Sequence, residues 1–160
     1  MLINKNEHIK EKNTENCNCK QKIECPLNGK CLSKNIIYKC IVSSQNNPDK
    51  QYIGLTEGEW KKRYANHKQS FKHKKYSKET MLSKYIWDLK ERNINFNLQW
   101  STLKTAPAYN NVSKKCMLCL QEKFEIITHL NQKNLLNKKS ELISKCRHEN
   151  KYLLKNYKNK

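Results

Sequence analysis

The sequence predicts an α+β fold: a small three-stranded antiparallel sheet flanked by helices, with zinc-stabilised N-terminal and C-terminal segments. Three observations predict it. Apolar residues recur with strand or helix periodicity in the order strand, strand, helix, helix, strand, helix, helix. The opening hairpin is apolar on both faces and cannot bury both alone, so a third strand and covering helices complete the compact solution. Four cysteines fall in fifteen otherwise polar residues, Cys17 to Cys31, a stretch that burial cannot fold and that a metal could tie.

The elements follow in order. Residues 1–16 are polar, charged and aperiodic, and read as a disordered lead. Residues 17–34 form the cysteine-rich segment, and 35–160 the main domain with its C-terminal zinc-stapled helix. Ile36 to Ser43 reads as a strand, with Ile36, Tyr38, Cys40 and Val42 on one face and Ile37, Lys39 and Ile41 on the other. Both faces are largely apolar, which makes it central. Gln45 to Lys50 is a turn signal around Asn47-Pro48, longer than the commonest hairpin types, and Gln51 to Leu55 returns as the second strand. Thr56-Glu57-Gly58-Glu59 has the pattern of a capping box. The helix after it carries Trp60, Tyr64, His67 and Phe71 at helical spacing and ends in Lys72-His73-Lys74-Lys75. Ser77 is the expected cap of a second helix, whose buried stripe is Met81, Leu82, Tyr85, Ile86 and Leu89. Phe96 to Leu103 reads as the third strand, with Phe96, Leu98 and Trp100 on one face, closed by Pro107. Lys114 to Leu130 is a third helix with Leu120, Phe124 and Ile127 aligned. Ser140 to about Tyr157 is a last helix, amphipathic through Leu142, Cys146 and Leu153.

Charge narrows the function. Among 160 residues, 33 Lys and Arg stand against 14 Asp and Glu, a formal net charge of +19. Self-repulsion of that size points to an anionic partner, nucleic acid before an anionic membrane surface. No stretch is apolar for long enough to span a bilayer, and the first thirty residues lack the hydrophobic core of a signal peptide. An intracellular, reducing location follows as the expectation, and there eight cysteines read as metal ligands rather than disulfides. Basic residues dominate Lys72 to Lys78 and the stretch from Lys133 onward. Lys61, Lys62, Lys72, Lys74 and Lys75 are the candidate phosphate contacts, which set affinity and its salt dependence but not sequence preference.

Tyr38 on a central strand, Tyr52 on its partner, and Arg63 and His67 four apart on one helix make a set able to hold and attack a phosphodiester. Such a reaction needs an activated water, charge neutralisation at phosphorus and help for the leaving oxygen. Arg63 offers a planar fork to phosphate oxygens. His67 lies on the same helix face and could donate to phosphate or to a tyrosine hydroxyl. Tyr52 could position the water or the phosphate. Core aromatics with satisfied hydroxyls, a solvated arginine and a histidine filling the Trp60–Phe71 stripe are the plain structural alternatives.

The cysteines divide into two groups. Cys17, Cys19, Cys25 and Cys31 can supply one tetrahedral zinc site. Cys116-x-x-Cys119 with Cys146 and His148 is a Cys3His set. Two residues apart, Cys146 and His148 cannot face the same way on a helix. Either the chain unwinds there or His129 replaces His148. Cys40, on the strand face of Tyr38, reads as a buried reduced thiol.

Ile36-Ile37-Tyr38, Tyr52-Ile53-Gly54, Arg63-x-x-x-His67, a later helix glutamate and a following asparagine resemble the GIY-YIG endonuclease domain, from about Asn35 to about Glu141. The cysteine-rich lead, Tyr52-Ile53-Gly54-Leu55-Thr56, Cys116-Met117-Leu118-Cys119 with Glu122-Lys123, Leu136 to Leu142, and Cys146-Arg147-His148 are similar to the endonuclease part of Penelope-like retroelements. The resemblance implies nicking of target DNA for element insertion, in the nucleus, with a reverse transcriptase module as partner in the full element. No reverse transcriptase motif is present, so this chain would be a detached or truncated endonuclease portion. Residue by residue, the resemblance makes Tyr38 the general base acting through a water. Glu122 becomes the ligand of a hydrated magnesium or manganese ion, with Glu125 its rival one turn away, and Asn137 a structural or phosphate-orienting amide, a helix cap before Ser140 being the plain alternative. This chain departs from the motif at Ile36, where the family has glycine, and its tyrosine-to-tyrosine spacing is slightly long. The alternative function is a non-catalytic, zinc-stabilised nucleic-acid-binding module from a decayed element.

Overall fold

A computed structural model of the chain describes residues 16–143 together with Cys146 and His148. The expected lead lies outside these residues apart from Asn16, as does the end of the expected last helix, Leu153 included. Three strands, β1 (Ile36–Ser44), β2 (Asn47–Thr56) and β3 (Phe96–Thr105), form one antiparallel sheet in the order β2-β1-β3. The strand with two apolar faces is therefore central. Its even face, Ile36, Tyr38, Cys40 and Val42, is buried against α1 (Trp60–Lys72) and α2 (Met81–Glu91). Its odd face begins with Ile37, which joins Ile53, Leu118 and Ile126 under α3 (Met117–His129). Helices thus cover both faces of the sheet. Leu82, Ile86 and Leu89 are fully buried, each stabilising the fold by roughly 1.5–3 kcal/mol before the entropy of ordering is counted.

Local departures from the sequence reading have physical causes. The hairpin is tighter than expected: Ser44 pairs with Asn47, so only Gln45 and Asn46 turn, with Asn46 at φ 62°. An irregularity between Val42 and Ser44 takes up the extra residue. The long spacing between Tyr38 and Tyr52 is thus absorbed by paired strand, and Pro48 sits exposed near the start of an edge strand, where its missing N–H costs no ladder bond. The capping box does not form. Thr56 ends β2 and donates to the Gly58 carbonyl, while α1 starts after Glu59 with no side-chain cap. Thr80, not Ser77, caps α2, accepting from the Ser83 amide at 3.0 Å.

The missing cap of α1 is supplied by the cysteine-rich segment. The Trp60 amide donates to the Ser33 carbonyl at 2.9 Å, and the Lys61 amide to the Cys31 carbonyl at 2.7 Å. Two first-turn donors that have no partner inside the helix are thus satisfied by the chain holding the four thiols.

The third helix is rotated relative to expectation. Leu120, Phe124 and Ile127 are 38%, 55% and 46% exposed, whereas Leu118, Lys123, Glu125 and Ile126 are buried. Two stripes of helical period coexist in this sequence, and the one that turns inward carries the acids. Beyond it, Asn134 to Asn137 runs along the free edge of β2: the Gln51 amide donates to Asn134 and the Leu136 amide to Gln51, each at 2.8 Å. Lys139–Ile143 is a single short 3-10 turn and Cys146 is not helical, so the expected last helix is absent where it is described. Among the described residues no helix is long and apolar enough to cross a membrane.

Candidate active site

Tyr38 and Tyr52 lie on the same face of neighbouring strands because Tyr38 pairs with Gly54 and Cys40 with Tyr52. Gly54 is there for space. A Cβ on it would stand 2.5 Å from the Tyr38 hydroxyl. Replacing Gly54 with alanine is expected to push the phenol out of place, at a cost of about 1–3 kcal/mol in thermal or urea unfolding. Ile36 is a core side chain, 1% exposed.

Arg63 and His67, one turn apart on α1, both reach Tyr38. Arg63 Nε donates to the Tyr38 oxygen at 3.0 Å. His67 Nε2 lies 2.7 Å from the same oxygen. Burial, and then the Arg63 charge, hold His67 down to about 3, so its ring is neutral near pH 7. The Tyr38 hydroxyl thus accepts from Arg63 and shares a hydrogen bond with His67 Nε2. Burial pushes the Tyr38 phenol up to about 12, although Arg63 pulls the other way. His67 also stacks on Phe71, at 5.9 Å and 24°, so it serves the helix stripe and the hydrogen bond together.

Tyr52, Arg63 and Glu122 line one cleft of about 240 Å³, together with Glu57, Cys119 and His148. Tyr38 is fully buried and stands behind Arg63, outside the cleft wall. Burial, and secondarily Tyr38, hold the Tyr52 phenol well above its ordinary value. Burial, and then the Glu141 charge, push the Glu122 carboxyl up to about 7, while Lys123 and Arg63 oppose the shift. Glu125 turns elsewhere, paired with Lys104 at 2.8 Å. Asn137 is buried, with both ends of its amide on Ile53: it accepts from the Ile53 amide and donates to the Ile53 carbonyl, each at 2.8 Å. The side chain thereby continues the β2 edge as a peptide group would, and it also donates to Glu141 at 2.6 Å.

Two cysteine-rich groups can hold structural zinc. In the first, the sulfurs of Cys17, Cys19, Cys25 and Cys31 lie within 4.8 Å of one another. Cys17–Cys31 and Cys19–Cys31 stand at 3.6 and 3.7 Å, against an edge of about 3.8 Å for a tetrahedron with the usual zinc–sulfur bond. In the second, Cys116, Cys119 and Cys146 converge in the same way. His148 Nδ1 is 3.3 Å from Cys146 Sγ, which the non-helical chain at Cys146 permits. His129 is instead within hydrogen-bonding distance of the Glu125 carbonyl, at 2.7 Å through Nδ1. Two residues around His148 carry no signal in the sequence. Glu57 Oε1 is 3.3 Å from His148 Nε2, and the Tyr109 ring stacks on the imidazole at 3.7 Å and 7°. An outer carboxylate on the far nitrogen of a histidine is the usual way to orient a metal ligand. Cys40 is fully buried and belongs to neither thiol group.

None of the five lysines singled out in the sequence lines the cleft. Lys61 donates to Asn18 at 2.6 Å, Lys74 pairs with Glu91 at 3.1 Å, and Lys75 lies over the Tyr76 ring. Lys72 borders a separate hollow beside Phe71, and Lys62 is exposed on α1. No family model, curated protein or solved structure matches this chain.

Proposed function

We propose that this chain is a metal-dependent DNA endonuclease of the GIY-YIG type, nicking target DNA in the service of a Penelope-like retroelement. The observation that supports the reading is the shared cleft: Tyr52, Arg63 and Glu122, distant in sequence, line one opening, and Arg63 is held from behind by Tyr38. Glu122, in a cleft whose second carboxylate, Glu57, faces His148, has the donor chemistry of a site for hydrated magnesium or manganese rather than for an ion caged by protein. Such an ion would lower the pKa of a bound water and neutralise charge on the phosphate.

The chain's own residues divide the remaining work. Arg63 spends Nε on Tyr38, which leaves the far end of its guanidinium for Tyr52 and an incoming phosphate. Tyr52 is the phenol in the cleft wall, so the water-handling role expected of Tyr38 falls to Tyr52 in this reading. Tyr38 and His67 fix the position of Arg63. Asn137 acts at one remove, bracing the strand that carries Tyr52 and holding Glu141. A zinc ion held by Cys116, Cys119 and Cys146, with His148 beside Cys146 to complete the set, would anchor the start of α3, one turn before Glu122.

Purified protein incubated with supercoiled plasmid and magnesium is expected to yield nicked circles. Tyr52→Phe is expected to lower the rate by about 10²-fold or more without changing the circular dichroism spectrum. Plasmid shifted in a gel but never nicked by the wild type would overturn the enzyme reading in favour of a binding module.

A further inference from the structure

A second hollow opens on the other side of Tyr52 and Arg63. Its wall is made by Lys78 and Lys84, before and within α2, and by Lys138 and Glu141 after the β2 edge segment. The two openings share Tyr52 and Arg63 but differ in character. One holds Glu122, Glu57 and the thiols; the other holds three exposed lysines, none ion-paired within 4 Å among the described residues. Glu79 and Glu141 are the acids on the lysine side. Glu141 is engaged by the Asn137 side chain at 2.6 Å and by the Lys138 amide at 3.2 Å, which spends part of its charge inside the fold.

We propose, resting on the reading of Tyr52, Arg63 and Glu122 as a nuclease centre, that the nucleic-acid strand crosses this site in one direction only. The phosphate at Arg63 is followed by backbone phosphates held by Lys78, Lys84 and Lys138. The opposite side of the cleft meets the base of α3 and the thiol site, where no lysine lines the wall to hold further phosphates. A lysine contributes to such a track as a mobile point charge, without sequence preference. The basic run Lys72–Lys75, the more conspicuous feature of the sequence, lies off the track.

The test is fluorescence anisotropy with a labelled oligonucleotide, without added divalent ion, over about 50 to 200 mM salt. The triple variant Lys78→Ala, Lys84→Ala, Lys138→Ala is expected to bind at least about tenfold more weakly, with the salt slope reduced by about 3. The charge-matched triple Lys72→Ala, Lys74→Ala, Lys75→Ala is expected to lose less than about threefold. The single reversal Lys84→Glu serves as a second probe that alters one exposed position. Equal losses in the two triples would overturn the track, as would wild-type affinity in the first triple or in Lys84→Glu. Binding is read apart from cutting. A wild type that never nicks but depends on Lys78, Lys84 and Lys138 for affinity removes the nuclease reading and keeps the track. A wild type that nicks, with a first triple that binds normally, does the reverse.

Discussion

Glu122→Gln is expected to stop nicking of supercoiled plasmid, by about 10³-fold or more, while leaving DNA binding within about threefold of wild type. The substitution keeps the shape and removes the only charge that α3 brings to the cleft. Glu125→Gln is the control, since that carboxylate is occupied by Lys104. The wild-type pH dependence follows from the same residue. Burial and Glu141 push the Glu122 carboxyl up to about 7, so below neutrality a proton competes with the divalent ion. At limiting magnesium the nicking rate should rise with pH, by about tenfold per unit, and level off above about pH 7. Saturating magnesium should flatten the curve. The sign of the stability effect is the reverse of the usual carboxylate case. With the folded-state value raised, protonation favours the fold, so this contribution is present at low pH and lost as pH rises through about 7 in protein without added divalent ion. Glu122→Gln should therefore melt no earlier than wild type at pH 8 and should lose the pH trend in melting temperature. A rate that falls with rising pH at limiting magnesium would remove Glu122 from the metal role.

Cys31→Ala is expected to cost more in stability than any surface change. Cys31 is fully buried, and its sulfur stands 3.6 Å from Cys17 and 3.7 Å from Cys19. A structural zinc in a small module contributes on the order of 10 kcal/mol to folding that module, and residues 17–34 have few apolar side chains to hold them otherwise. The damage should not stop there. The carbonyls of Cys31 and Ser33 satisfy the first amides of α1, which has no side-chain cap of its own. Losing such a cap costs about 0.5–2 kcal/mol, and the helix affected carries Arg63 and His67. Bound zinc should fall from about two per chain to about one. The lost cap alone should lower the melting temperature of the main domain by about 1–8 °C. Hydrogen exchange should accelerate first at Trp60 and Lys61, ahead of the α2 amides. Cys40→Ala, equally buried but apart from both thiol groups, should leave the zinc content unchanged. Unaltered zinc in Cys31→Ala, or unaltered exchange at Trp60, would break the proposed link between this site and α1.

Particular residues show how far local pattern reaches. The alternation of Ile36, Tyr38, Cys40 and Val42 placed β1 at the centre of the sheet, because a strand apolar on both faces must be covered on both. The spacing of Trp60, Tyr64, His67 and Phe71 identified the inward face of α1 for the same reason. The same kind of pattern misdirected α3. Leu120, Phe124 and Ile127 form a proper helical stripe and point outward, while the inward stripe includes Glu122 and Glu125. An acid turned inward looks polar in a sequence, since its reason for being there is a cleft or a lysine from another strand. Glu57 is similar: between Thr56 and Glu59 it has no role in the capping-box pattern, and its actual neighbour is His148, ninety-one positions away.

Composition and spacing alone therefore determined the strands, the first two helices, the clustering of Cys17, Cys19, Cys25 and Cys31 and the basic character of the chain. These depend on periodicity, on charge count and on donors close together in the chain. Tertiary structure alone decided that Tyr52 rather than Tyr38 lines the cleft, that Asn137 completes the edge of β2, that His148 rather than His129 approaches Cys146, and that Lys78, Lys84 and Lys138 flank Arg63. Each of those outcomes is a contact between segments far apart in sequence, set by how the sheet and its helices pack. Periodicity fixes the faces of an element, whereas only packing selects what each face meets.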